Sequence, residues 1–579
     1  MILSHKKSSS SRCVVWLLWL LIYLFDVSDT DLGWYDTGVR GNPHAPTPSL
    51  NNLSASGFVL DRHYAFRYCS PTRRSLLTGR FPNHITTVQP DGDHLCSDFL
   101  PLNATILSER LQGIGYKCHF IGKGHLGYQT TDHLPVHRGF DTHVGFLAGS
   151  ESYHYGGGAA NPTQGKHDLW QGLAPGFDVV PKLQYATNFY TATAVDLIEA
   201  HGERKRKRMQ FFARREQEGS FGTTGERTGR KAEQDGKELD PFFIYFSVQN
   251  VHSPYQLPPA WETHDYPQMW NRTYSNMLRI LDMATLNVTL SLQRAGVWDD
   301  TLILWTSDNG GIGLGNNYPL RGHKHDPWEG GTRVVSFLTG GYLPIGMRGK
   351  SSGNLLVHVA DWYPTFLHLA GVAQPVTDRV YFHGDYAGSN AGFHDIDGVN
   401  VWPMLTGANA TQPRRYTPTS EVGIIDVGAA PASFGPPSDS QQGGDPAPRQ
   451  WWKLIALSGQ SNYWTENQSI VIPTDSCLDG AQPDPVEPGR TDAIVTGCPV
   501  CNASSPCLYD ILTDPSERRN VAAGHPGVVA RLVSELARFE EYVSGRIDAG
   551  LLAREYEKID TAKRWEGYLG PCYQRKPII

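Results

Sequence analysis

Three short apolar-rich runs, each ending at polar residues, constrain the fold of this chain most. Lys117–Gly122 stops before Lys123 and His125, Pro241–Val248 before His252, and Thr301–Ser307 before Asp308. Runs of this length bounded by polar residues read as strands buried on both faces. Around them lie helical patterns at Ala104–Leu111, Ala186–Ala200, Tyr274–Arg294 and Asn354–Leu369. Alternation of strand and helix predicts an α/β fold, an open and mostly parallel sheet with helices on both faces. Ligands of such sheets bind beyond the carboxyl ends of the strands, where the polar residues just named fall.

At 579 residues the chain is too long for one core, so a large domain with a smaller one is expected. The segment 411–450 is rich in Pro, Gly, Ser and Asp and reads as a surface linker. Beyond it, over 451–579, Trp451–Leu457 and Leu508–Ile511 read as strands and Pro526–Ser544 as an amphipathic helix. A net charge of −7 with scattered basic residues argues against a nucleic-acid partner, which needs a basic stripe. The one dense basic run, Arg204–Arg208, lies in the polar stretch 202–240, read as a solvated, disordered insertion.

Lys6, Lys7 and Arg12 precede an apolar run from Cys13 to Phe25 that suits a signal-peptide core and is too short to span a membrane. A leader over 1–28 would send the chain into the secretory pathway, to an extracellular or lysosome-like compartment, with no stable membrane span. Sequons at Asn52, Asn103, Asn271, Asn287, Asn409, Asn467 and Asn502 are compatible with that route. Cys477, Cys498, Cys501 and Cys507 cluster as candidates for local disulfides, with zinc at Cys498 and Cys501 as the alternative; Cys96, Cys118 and Cys572 cannot be paired from sequence.

The run from Cys69 to Arg80 (CSPTRRSLLTGR) places a thiol, a cation and a helix start within five residues. Pro71 fits a first helical turn and Gly79 a C-terminal cap, so Cys69 sits at a helix N-terminus. Free N–H groups and the helix dipole favour an anion there, and Arg73 adds a fixed positive charge. The bland alternative is a structural cysteine beside an ordinary arginine.

This motif, Cys-x-Pro-x-Arg followed by Thr-Gly-Arg, resembles the signature of the formylglycine-dependent sulfatase family. The likeness extends through Asp31–Trp34, Gly122–Gly127, His137–Asp141, Val251–Pro254, Thr306–Gly311, Pro319–Lys324 and Trp328–Gly331, and looks closest to the arylsulfatase B type. It implies the alkaline-phosphatase-like architecture: a large mixed, mostly parallel sheet sandwiched by helices over 29–410, with a smaller C-terminal antiparallel sheet plus helix. It also implies hydrolysis of sulfate monoesters on a sulfated small molecule or glycan. Cys69 would be oxidised by the formylglycine-generating enzyme of the ER to formylglycine, whose hydrate is the nucleophile. By the same resemblance Asp31, Cys69, Asp308 and Asn309 would hold one divalent cation. Oxygen ligands suit calcium or magnesium over zinc, with calcium first. Arg73 and Lys123 would hold the aldehyde hydrate and the sulfate, His125 would orient the nucleophile, and His252 with Lys324 would face the leaving group.

The chain departs from the family pattern in three places. Thr30 stands where the first of two adjacent aspartates is expected, leaving Asp29 as a substitute or the site weaker for metal. Gly124 replaces a tryptophan, which would widen the pocket. The apolar strand expected directly before the aspartates also coincides with the leader, so the two compete for the same residues. Two rivals stay open at this stage: a phosphate or phosphonate ester hydrolase of the same superfamily, and an inactive glycan-binding homologue.

Overall fold

The computed structural model describes residues 21–27, 32–85, 99–154, 167–176, 184–217, 241–269, 271–372, 396–409, 412–428, 450–456, 463–465, 492–494, 501, 504–539, 556–558, 564 and 571–576. The large domain contains β1 (Leu21–Val27), β2 (Phe58–Val59), β3 (Arg62–Tyr64), β4 (Lys117–Lys123), β5 (Thr142–Phe146), β6 (Trp170–Gln171), β7 (Ala174–Pro175), β8 (Phe242–Val248), β9 (Thr301–Ser307), β10 (Ser336–Thr339), β11 (Lys350–Ser351) and β12 (Leu356–His358). β3 pairs with β12; the others form a ten-stranded sheet in the order β11-β2-β10-β9-β1-β8-β4-β5-β6-β7. Its five central strands, β9 through β5, are parallel, and antiparallel pairing begins at β10 and β6. The three apolar runs therefore fold as strands within a residue of their expected ends.

Side-chain alternation along these strands divides the core. Phe242, Ile244, Phe246, Ile303 and Trp305 face the helices Ala186–Gln217 and Arg272–Arg294 through Tyr190, Ile198, Met277 and Leu281. Phe243, Tyr245, Leu302 and Leu304 face Cys69–Thr78, Leu107–Gly113 and Trp362–Leu369 through Leu76, Leu77, Leu111 and Phe366. Full burial of a side chain of this size is worth about 1.5–3 kcal/mol. Both faces are covered, which is why these strands are apolar throughout rather than alternating.

Several expectations need correction. β1 occupies the second half of the apolar run assigned to the leader and pairs with β8 on one side and β9 on the other. A leader ending at residue 28 would remove the strand at the centre of the sheet. The disordered insertion at 202–240 does not hold over 202–217, which continue the Ala186–Gln217 helix. Part of the basic run is docked there: Lys205 Nζ lies 2.6 Å from Asp300 Oδ2, and Arg204 donates to His201 Nδ1 at 2.7 Å. Residues 218–240 lie outside the described set.

The expected helix Asn354–Leu369 splits into β12, a turn and a helix. His358 Nδ1 accepts from Ala360 N at 3.1 Å and Asp361 Oδ2 accepts from His358 N at 2.8 Å, local bonds that compete with an earlier helix start. Leu107–Gly113 begins three residues later than expected, where Glu109 Oε2 accepts from Ile106 N at 2.7 Å. The linker assigned to 411–450 contains Tyr416–Ser420 and Gly423–Asp426, the first two strands of the small sheet. They pair antiparallel with Trp452–Ile455 and then Cys507–Asp510. Pro418 is tolerated because Tyr416–Ser420 is an edge strand. The helix Pro526–Arg538 covers this sheet through Leu532 and Leu536 against Ile424, Leu454 and Leu508. A Cys501–Cys507 disulfide staples the same unit and excludes zinc at Cys501; Cys477 and Cys498 lie outside the described residues.

Candidate active site

The central strand order delivers the candidate residues side by side. β9 leads into Asp308 and Asn309, β8 into His252, and β4 ends at Lys123 with His125 two residues on. In register, Val27 lies beside Ser307 and Val248, and Gly122 beside Ser247, so the strand ends stand level. Over this rim lies the helix Cys69–Thr78, buried along its whole length and closed by Gly79 at φ 68°. Tyr68, at its N-cap, offers no side-chain acceptor to the first turn. Cys69 opens that turn and is buried outside any disulfide.

Arg73, one turn in, ties the rim together. Its Nε donates to Gly124 O at 2.9 Å, Nη2 donates to Ser247 Oγ at 2.6 Å and to Lys123 O, and Nη1 lies 3.9 Å from Asp308 Oδ2. Ser247 Oγ in turn donates to Lys123 O at 3.1 Å. The guanidinium, fully buried, lies 5.3 Å from the Tyr245 ring centre. One side chain from the helix thus joins the ends of β4, β8 and β9.

His125 has a left-handed backbone, φ 51°, held where Gly124 N donates to Phe146 O at 2.7 Å and His125 N to Leu147 O at 3.0 Å. Gly149 is required beside it, since a Cβ there would stand 2.9 Å from the imidazole Cε1. At Gly124 a Cβ would stand 2.9 Å from Phe146 O, so the backbone here leaves no room for a side chain without a shift. His252 is half-buried, with N donating to Gln249 O at 2.8 Å and Nδ1 against Ser253 O. Lys324 is buried, and its N donates to Gly311 O at 3.2 Å.

Asp29, Thr30 and Asp31 lie outside the described residues, but the segment that follows is pinned to the loop after β9. Asp36 accepts from Gly33 N, from Asn316 N at 3.0 Å and from Tyr274 OH at 2.5 Å. Asn317 Oδ1 accepts from Trp34 N at 3.3 Å and Gly311 N at 2.9 Å. Sequence reading missed Asp36, Asn317 and Ser247. Ser247 carried a signal, being a hydroxyl at the end of an apolar run, whereas the partners of Asp36 and Asn317 are fixed only by tertiary contact.

Among the described residues, no three His, Cys, Asp or Glu side chains group as a metal cage. Asp308 and Asn309 nonetheless present a buried carboxylate and a buried carboxamide at the strand end, hard oxygen donors of the kind a calcium or magnesium ion takes. Of the sequence-predicted residues, Arg73, Lys123 and Asp308 thus meet at the carboxyl ends of the strands, with Cys69, His125 and Asn309 adjoining them in the chain, while Asp31 lies outside the described residues.

The family model for sulfatases matches residues 24–372 of this chain. Mouse arylsulfatase J is 29% identical over 538 residues, covering 90% of this chain and 75% of that protein. Dog N-acetylgalactosamine-6-sulfatase is 27% identical over 434 residues, covering 72% of this chain and 71% of that protein. The solved structure of Ps i-CgsB in complex with k-i-k-neocarrahexaose superposes with a TM-score of 0.55 at 22% identity, covering 92% of this chain and 97% of that one. With the family match spanning more than half its length and the signature helix seated on the rim of the sheet, the chain belongs to the sulfatase family and hydrolyses sulfate esters.

Proposed function

We propose that this sulfatase acts through a formylglycine made from Cys69, assisted by one calcium ion, on a sulfated sugar or aryl alcohol in the secretory pathway. The observation that carries the reading is the seating of Cys69 in the first turn of a buried helix whose Arg73 joins the ends of β4, β8 and β9. The ER formylglycine-generating enzyme would oxidise Cβ of Cys69 to an aldehyde, so the thiol sulfur marks where the aldehyde oxygen would stand.

Asp308 and Asn309 would hold the cation together with Asp31 and the modified Cys69. When bound, the ion would draw electron density from a sulfate oxygen and acidify the nucleophilic hydroxyl. The helix N-terminus favours the sulfate anion, and Lys123 adds an ammonium to neutralise it. Arg73 is engaged with Lys123 O, Gly124 O and Ser247, so its part is to hold the rim and supply positive potential. His125, with its backbone fixed, would orient the nucleophile. His252, whose Nδ1 lies against Ser253 O, would carry a proton to the leaving oxygen, and Lys324 would share that role.

A glycan substrate is supported by Ps i-CgsB, whose structure holds a neocarrahexaose. Secretory routing is supported by the exposed sequon positions Asn52, Asn103, Asn287 and Asn409. Among the described residues no helix is long and apolar enough to cross a membrane. Mass spectrometry of the tryptic peptide spanning Cys69, from a host that carries the modifying enzyme, tests the reading. The expected product is the aldehyde; unmodified cysteine alone, in active protein, would refute it.

A further inference from the structure

The C-terminal unit contributes none of the candidate site residues, yet two of its fully buried charged side chains, Lys453 and Glu517, meet the large domain at the equally buried Glu329. Lys453 Nζ lies 3.0 Å from Glu329 Oε1 and 3.0 Å from Glu517 Oε1. Glu329 N donates to Glu517 Oε2 at 2.7 Å, and Tyr64 OH donates to Glu329 Oε2 at 2.9 Å. Burial drives Glu329 upward, but Lys453, Arg333 and Arg62 outweigh it and hold its carboxyl below the ordinary range. Burying one lysine between two carboxylates is a poor way to gain stability, because desolvation consumes most of the attraction. What such a network does well is fix a position.

The position fixed is that of Glu329, first residue of the short helix Glu329–Thr332. That helix is the floor of the loop carrying Asp308 and Asn309. Gly310 N donates to Gly331 O at 3.0 Å, and a Cβ on Gly310 would lie 1.6 Å from Gly330 O, so the two backbones touch. The same floor bears the segment leading to Lys324, since Gly330 N donates to Arg321 O at 2.7 Å. From Lys453 to the turn after Asn309, the path runs through one ion pair, three residues of backbone and one hydrogen bond.

We propose that Lys453 and Glu517 are positioning residues for the cation-binding loop: by locking Glu329 they hold the floor on which Asp308 and Asn309 present their oxygens. The proposal rests on the assignment of the cation to that loop. Rigidity of the ligand frame is a main determinant of hard-cation affinity, and supports outside the ligand set commonly change metal affinity 10–100-fold.

The test is calcium titration of the full-length protein by isothermal calorimetry, beside KM for an aryl sulfate at saturating calcium and the unfolding temperature without calcium. Lys453→Met should weaken calcium about tenfold and Tyr64→Phe, a milder change that spares the fold, about threefold, both with KM unchanged. Lys453→Arg should recover part of the affinity. Unaltered calcium affinity in Tyr64→Phe and in any folded Lys453 variant, alongside a lower calcium-free unfolding temperature, makes the network a plain clamp between units and overturns the proposal. A parent protein that binds no calcium at all removes the cation assignment first, and the proposal with it.

Discussion

Arg73→Lys separates the charge of Arg73 from its geometry. The guanidinium spans Gly124 O, Lys123 O and Ser247 Oγ, acceptors contributed by two strands, in a fully buried position. An ammonium keeps the charge but not the planar fork, so it can satisfy at most one of the three in the same geometry. Two charge-assisted bonds are lost at roughly 1.5–3 kcal/mol each, and with partial relaxation a net loss of about 3 kcal/mol is expected. Ser247→Ala alone should cost about 1 kcal/mol. If the two residues act through their 2.6 Å bond, the double variant should be less destabilised than the sum by about 1 kcal/mol. Urea unfolding followed by tryptophan fluorescence supplies the four free energies of the cycle. Costs that add to within about 0.3 kcal/mol, with Arg73→Lys as stable as the parent, would refute the idea that Arg73 ties the strand ends together.

His252→Ala and Lys324→Ala should lower turnover far more on a sugar sulfate than on an activated aryl sulfate, whose leaving group needs little protonation; equal losses on both substrates would remove the leaving-group role. A relay runs from Arg204 to His201 Nδ1 at 2.7 Å, between the two Nε2 atoms at 2.8 Å, and from His119 Nδ1 to Thr142 Oγ1 at 2.8 Å. Burial, with Lys117 and Arg204 adding to it and Asp141 opposing it at His119, lowers these imidazoles to about 4 for His119 and about 3 for His201. The unfolded chain takes up these protons below about pH 6.5 and the folded one does not until far lower, so stability should fall with pH by about 2 kcal/mol per imidazole at pH 5. His119→Leu/His201→Leu should therefore show a flatter profile of unfolding temperature between pH 6.5 and 4, and a profile parallel to the parent's would count against the relay. A chain beginning at residue 29 lacks β1 and should yield no soluble folded protein, whereas one beginning at residue 20 should fold; circular dichroism and soluble yield decide between them, and a folded, active short form would make β1 dispensable.

Much of the candidate site was legible in one dimension, because its residues lie in contiguous segments. The Cys69–Arg80 run encodes its own helix start, its cap and its cation, and each strand that feeds the rim is an apolar run ending in the residue it delivers. Such signals are local: they depend on backbone geometry and burial that a few neighbouring residues specify.

The remainder depended on competition or on distant partners. The run ending at Phe25 has the composition of a leader and of a buried strand alike; its place between β8 and β9 is settled by pairing partners more than 200 residues away. The stretch after residue 411 looked like a linker because Pro, Gly, Ser and Asp dominate its composition, yet Tyr416–Ser420 and Gly423–Asp426 pair with each other and Gly423–Asp426 with Trp452–Ile455 as strands. Likewise nothing in the sequence links Lys453 and Glu517 to Glu329. Only folding removes their water together and leaves each as the other's partner, since a buried charge must be paired and its partner can come from anywhere in the chain. Sequence alone determined which residues could do the chemistry; the tertiary structure decided what holds them in place, because support is given by long-range packing and hydrogen bonds that no local pattern records.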